Sequence, residues 1–351
     1  MQAQTVAGKI PASEMGITLP HEHIFVDARI MWSKPTQEDK AKLAEARVSL
    51  ETMGLLLHDM ALCKDNLVLD DPEMSAKELL MFKAFGGKTV VDVTPGGALA
   101  PPTVVGSIPR PIALRNLSKK IGLNIIVGCG YYTALTHPPD MTTRTVDQLA
   151  DEMISDIQVG FKGTDVKAGI IGEIGTSHPF VENEKKVLRA AAHAHKSTGV
   201  AISVHLPWRG KHALQVLDIL KSEGVDPGNI IIGHMDDMED LNFEYHRAIA
   251  ERGAYLAFDC FGEEDYVEAQ NFVHPRDTER IVALKHLIDV GYIDNLLLSH
   301  DVCLKTYTRT YGGYGYDHIL RTIVPMLKKI GVNDTEINRI MVENPARAIA
   351  Y

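Results

Sequence analysis

Short, continuous apolar runs recur along the chain, and between them lie stretches whose apolar positions return every three or four residues. The runs fall near residues 18–26, 88–95, 123–128, 168–174, 201–206, 229–234, 254–259 and 295–300, and they predict eight strands. The intervening stretches predict amphipathic helices over Ile112–Ile121, Glu182–Thr198, Lys211–Glu223, Met238–Arg252 and Asp277–Val290. A further helix opens on Thr145-Val146-Asp147-Gln148, which reads as a capping box with Leu149, Met153 and Ile157 striped behind it. Gly199 closes the Glu182–Thr198 helix, at the position where a left-handed residue is easiest. Residues 1–17, broken by Gly8, Pro11 and Gly16, read as a hairpin covering the bottom of the domain. Residues 34–85 are rich in helix formers, with Leu43, Leu50, Leu55 and Leu57 among their apolar positions. That stretch reads as a helical insertion after the first strand, placed as a lid.

Strands that are apolar throughout, alternating with amphipathic helices, mean a parallel sheet covered on both faces. Eight of them with right-handed crossovers close into a (β/α)8 TIM barrel, so the expected architecture is α/β, one domain over residues 1–351. An open doubly wound sheet is the alternative, but no Gly-rich phosphate loop follows the first strand.

Bulk composition adds exclusions. The chain is 45% hydrophobic and 23% charged, which is globular, and its net charge of −10 argues against a nucleic-acid or anionic-membrane partner. Cys63, Cys129, Cys260 and Cys303 are scattered without a C-x-x-C pair, so they read as core thiols of a cytoplasmic, reducing compartment. The first 25 residues show no basic segment followed by an apolar run, and no apolar stretch approaches 18 residues.

The candidate chemistry begins at Leu19-Pro20-His21-Glu22-His23. On a strand, His21 and His23 share a face with Cβ atoms roughly 6–7 Å apart, close enough to bind one ion; on a helix they would diverge by about 200°. Glu173, His205 and His234 fall at the ends of strands four, five and six, and Asp301 follows strand eight. Active sites of this fold are built at that rim. His205 alone could be a hydrogen-bonded core histidine and Glu173 alone a paired carboxylate. Jointly those readings fail, since a buried carboxylate without a partner is costly. Four histidines and two carboxylates suit Zn best, with Mn, Co or Fe next, rather than Ca or Mg. Six side chains are too many for one ion with an open position, and they fit two divalent ions about 3.5–4 Å apart sharing a carboxylate and a hydroxide. Other residues read more plainly. His193 and His195 lie on a helix and diverge. His300 should point away from the site, and Asp236 and Asp237 either orient an imidazole or cap the next helix. Asp259-Cys260-Phe261-Gly262 should line the pocket, and Tyr307–Tyr316, with aromatics between glycines, should form a mobile wall.

With these residues in view the chain resembles the phosphotriesterase family of the amidohydrolase superfamily over essentially its whole length. The resemblance is carried by Gly16–His23, Val91-Asp92-Val93-Thr94, Gly172–Thr176, His205, His234, Ser299-His300-Asp301 and Asn344-Pro345-Ala346-Arg347. It implies that His21, His23 and Asp301 hold a buried ion, that His205 and His234 hold a more exposed one, and that Glu173 bridges them. The best-known members bridge with a carboxylated lysine; Glu173 is similar to the phosphotriesterase-related, or homology-protein, branch. Lys167, six residues earlier on the strand and roughly 20 Å lower, cannot substitute. Likeness to lactonase members places Tyr132 over the ions near a substrate carbonyl, with core packing as the plain alternative. The implied enzyme is a homodimeric hydrolase of a small molecule. A bridging hydroxide attacks, and Asp301 orients it and takes its proton. A lactone or carboxylic ester comes first among substrates, an N-acyl amide second and an organophosphate ester third. Only Arg209 and Arg276 stand near rim positions that could meet a phosphate. The contrasting class is a metal-bearing binding protein without turnover.

Overall fold

In the computed structural model, residues 1–32, 34–35, 37–95, 104–236, 243–268 and 271–351 are described. Eight strands form one sheet: β1 (Thr18–Glu22), β2 (Thr89–Asp92), β3 (Asn124–Cys129), β4 (Ile170–Gly175), β5 (Ile202–His205), β6 (Ile230–Ile232), β7 (Tyr255–Phe258) and β8 (Leu296–Leu298). Each pairs in parallel with the next. Side-chain alternation sorts the apolar residues into two cores. Val91, Ile126, Ile170, Ile231 and Leu297 cluster together inside the barrel, while Val90, Ile125, Val127, Ile232 and Leu298 pack outward with the helices. The fold is the expected (β/α)8 barrel.

Most of the strands are shorter than the apolar runs. The expected first strand, 18–26, leaves the ladder after Glu22, and the expected sixth, 229–234, leaves it after Ile232. The rim residues stay apolar because they remain buried, so hydrophobicity alone does not mark where pairing stops. The insertion is also smaller than expected. Pro72–Ala84 is the crossover helix between β1 and β2, and among the described residues of the preceding stretch the α-helices are only Glu38–Ala41 and Leu50–Leu56. The N-terminal hairpin is present, pairing Gln2–Thr5 with Gly8–Pro11. Gln2 and Tyr351 exchange backbone hydrogen bonds of 2.9 and 3.0 Å, so both chain ends cover the barrel floor.

The capping box holds, with Gln148 N donating to Thr145 Oγ1 (3.1 Å) and Thr145 N to Gln148 Oε1 (2.9 Å). Gly199 ends the helix Glu182–Thr198 at φ +78°. The helix expected at Met238–Arg252 is Glu244–Ala250 among the described residues, and 238–242 lie outside them.

The barrel closes between β8 and β1 through Glu22, the residue between the two histidines. Its carboxylate, fully buried, accepts from Ser299 Oγ (2.8 Å), His300 N (3.0 Å), His300 Nδ1 (2.7 Å) and Val302 N (3.0 Å). His300 Nε2 in turn accepts from Ile319 N (3.0 Å), which holds the ring on Glu22 and away from the candidate ligands, as expected. Glu22→Ala leaves these donors buried without an acceptor and is expected to cost about 3 kcal/mol or more. Glu22→Gln should cost less, and an unchanged urea midpoint in the alanine variant would contradict the closure role.

Candidate metal centre

The sheet register breaks where side chains must turn inward. The β1–β2 pairing shifts between Leu19 and Glu22, around His21, and the β4–β5 pairing shifts between Ile171 and Ile174, around Glu173. A Cβ on Gly172 would lie 2.3 Å from Ser203 O, so only glycine allows that approach next to Glu173. His234 and Asp301 sit in the left-handed region at φ +56° and +54°, a conformation that concentrates at functional sites.

All six expected ligands meet. The His21 and His23 rings lie 5.8 Å apart. Glu173 stands at the centre: Oε1 is 3.2 Å from His23 Nε2, and Oε2 is 3.2 Å from His205 Nδ1, 3.6 Å from His21 Nε2 and 3.9 Å from His234 Nε2. Asp301 Oδ1 is 3.0 Å from His23 Nε2 and 3.8 Å from His21 Nε2. His205 Nδ1 and His234 Nε2 are 2.7 Å apart. Tyr132 Oη lies 3.1 Å from either ring nitrogen of His205, at the mouth of the group.

Beneath them lies a residue whose part the sequence reading missed. Asp259, expected to line the pocket, is instead fully buried under the histidines. Its Oδ2 is 2.9 Å from His21 Nδ1, and its Oδ1 is 3.1 Å from His234 Nδ1 and accepts from His234 N at 2.8 Å. One carboxylate thus touches an imidazole on each side of the cluster, hydrogen-bonded to His234 and in charge contact with His21. The available signal was an acid at the end of strand seven, level with the strand-six histidine beside it. Thr94 meets His23, with Oγ1 2.6 Å from Nδ1, and Tyr316 Oη donates to His23 O at 2.6 Å.

Other expectations resolve around this core. Asp236 accepts from Cys260 N (2.9 Å) and pairs with Arg280 (3.1 Å), while Asp237 lies outside the described residues. His193 sits between Asp147 and Glu223 and His195 turns to Val200 O, diverging as the helix requires. The segment Tyr307–Tyr316 is tied down rather than loose. Glu78, fully buried, accepts from Arg309 N, Thr310 N and Thr310 Oγ1, and the buried Tyr307 hydroxyl reaches Asp265 at 3.2 Å. Arg209 and Arg276 are absent from the pocket wall; Arg209 donates to Asn271 O (2.7 Å) and Arg276 precedes the helix Asp277–Asp289.

The electrostatics test whether divalent ions fit. Burial opposes charge on every member, yet Asp259 and then Glu173 raise His21, and Asp301 and then Glu173 push His23 up to about 10. His234 is also raised well above its usual range, against burial, by Asp259. Burial lowers His205. The carboxyls of Glu173, Asp259 and Asp301 are all held low by the imidazoles. Three ionised carboxylates in a dry interior demand cations. His21 Nε2, Glu173 Oε2 and Asp301 Oδ1 are buried without hydrogen-bond partners. Two donor sets, His21–His23–Asp301 and His21–Glu173–His234, each gather their donor atoms within 4.8 Å. The arrangement fits divalent ions, with protons holding their place in the bare protein. The sign of the pH dependence follows: raised imidazoles must lose protons to bind metal, so affinity is expected to rise from pH 6 through 9. Titration calorimetry in buffers of different ionisation enthalpy should show proton release; binding independent of pH would contradict it.

A pocket opens above Glu173, with walls of Val26, Ala28, Met31, Met60, Trp208 and Tyr307 and about 40 Å³ of free space. No helix among the described residues is long and apolar enough to cross a membrane.

A closed parallel barrel carrying such a rim defines a metal-dependent hydrolase. The sequence profile of the phosphotriesterase family matches residues 1–349, and the chain belongs to that family. It is 35% identical to an N-acetyltaurine hydrolase of Dictyostelium discoideum, with 99% of this chain and 97% of that protein aligned. Among solved structures, a resiniferatoxin-binding protein from Rhodobacter sphaeroides superposes with TM-score 0.94 at 36% identity, covering 99% of this chain and 95% of that one. A lactonase from Listeria monocytogenes superposes with TM-score 0.78 at 27% identity, covering 100% and 99%.

Proposed function

We propose that the protein hydrolyses a small N-acyl amide at a two-metal centre. The observation that carries the centre is the position of Glu173, whose two oxygens face His23 on one side and His205 on the other at 3.2 Å each. His21, His23 and Asp301 would hold one ion, His205 and His234 the other, with Glu173 shared. The donor set favours Zn, with Mn, Co or Fe next. When bound, such ions supply a water acidified toward neutral pH and a Lewis acid for the carbonyl oxygen.

The chain's own residues do the rest. Asp301, ionised and beside His23, takes the proton of the attacking water at a carboxylate oxygen and returns it to the leaving nitrogen. Burial, and then the charges of Glu173 and Asp301, raise Tyr132 well above its usual range, so its hydroxyl stays a donor and steadies the carbonyl oxygen. Asp259 keeps two imidazoles turned toward the site. The apolar walls exclude bulk water.

The sequence alone put a lactone first. The N-acetyltaurine hydrolases, aligned along their full length, support moving the amide ahead of it, and the lactonase neighbour supports keeping the lactone second. The organophosphate stays third, and no arginine among the described residues lines the pocket to meet a charged phosphate. The likeness to a resiniferatoxin-binding protein favours one other reading, a metal-bearing binding protein without turnover. A screen of N-acetyl amides, lactones and aryl phosphotriesters on Zn- or Mn-loaded protein tests the proposal. Amides should turn over fastest; tight binding without turnover would favour the binding protein.

A further inference from the structure

We infer that the amine half of the substrate is uncharged and apolar, so that this enzyme discriminates against a sulfonate or carboxylate tail. The inference rests on the amide reading above. An anionic tail that lies away from the two ions needs a cation of its own in the wall, because desolvation is otherwise uncompensated. None of the described residues lining the pocket is Lys or Arg.

The undescribed positions cannot supply one. Residues 33, 36, 96–103, 237–242 and 269–270 contain no Lys, Arg or His. Three arginines near the rim are engaged elsewhere. Arg29, next to Ala28, is paired to Asp27, and the exposed Arg209, next to Trp208, donates to Asn271 O. Arg280 is fully buried against Asp236 and Asp277. The wall carries a carboxyl group instead, that of Glu263, 3.6 Å from His274. The remaining surface suits an apolar ligand. Met31 and Met60 supply adaptable thioethers, and Trp208 is held rigid by stacking on Phe272 at 5.5 Å and 7°.

The test compares two amides of the same shape on metal-loaded enzyme. One is N-acetyltaurine; the other, N-acetyl-3,3-dimethylbutylamine, replaces the sulfonate by a tert-butyl group. The neutral amide should show at least tenfold higher kcat/KM, mostly through KM, and should bind the Asp301→Asn variant more tightly by calorimetry. Met31→Arg, which places a cation at the wall, should move the ratio at least fivefold toward the sulfonate. Equal or better turnover of N-acetyltaurine by the unmodified enzyme overturns the inference while leaving amide hydrolysis standing. Turnover of lactones with no turnover of either amide removes the amide reading, and this inference falls with it.

Discussion

Asp301→Asn is expected to lower kcat by about a thousandfold while leaving much of the metal bound. Asparagine keeps the volume and one oxygen at the position 3.0 Å from His23 Nε2, so the donor geometry survives. What it loses is the charge and the basic oxygen that receives the water's proton. The left-handed backbone at Asp301 is no obstacle, since asparagine tolerates that conformation as well as aspartate does. Steady-state kinetics paired with metal analysis of the same preparation separates the two effects. Turnover within a few-fold of the unmodified enzyme would remove Asp301 from the chemistry.

Asp259 carries the second large effect, although it touches no substrate. Asp259→Asn keeps one acceptor oxygen for two imidazoles, His21 and His234, and turns an amide NH2 toward the other ring nitrogen. Losing such an orienting partner typically costs ten- to a hundredfold in metal affinity, and here one side chain serves both halves of the cluster. Asp259→Ala should in addition destabilise the fold by about 3–5 kcal/mol, because it strands buried imidazoles beside Glu173. Competition with a chromogenic chelator reads the first effect and urea unfolding the second. Metal affinity unchanged in Asp259→Asn would show that the imidazoles hold their tilt without it.

The barrel was legible because its strands are apolar on both faces and its helices are striped, two periods that local sequence displays directly. The candidate ligands could be singled out because each falls at a strand end, and the barrel's topology brings strand ends together. What escaped was the layer beneath. Glu22 and Asp259 look like any acid beside a strand, and their partners, Ser299 and Val302 for one and His21 and His234 for the other, become neighbours only through ring closure or inter-strand register. The same limit explains Asp236, whose partner Arg280 is 44 positions away in the chain. It also explains the segment Tyr307–Tyr316, whose glycines suggested looseness while Glu78, on the first crossover helix, pins it.

The most direct test of the account is anomalous diffraction from crystals grown with zinc or manganese. It should show two peaks about 3.5–4 Å apart, with the Glu173 carboxylate between them, His21, His23 and Asp301 on one and His205 and His234 on the other. A single peak, or a Glu173 side chain turned away from both, would contradict it.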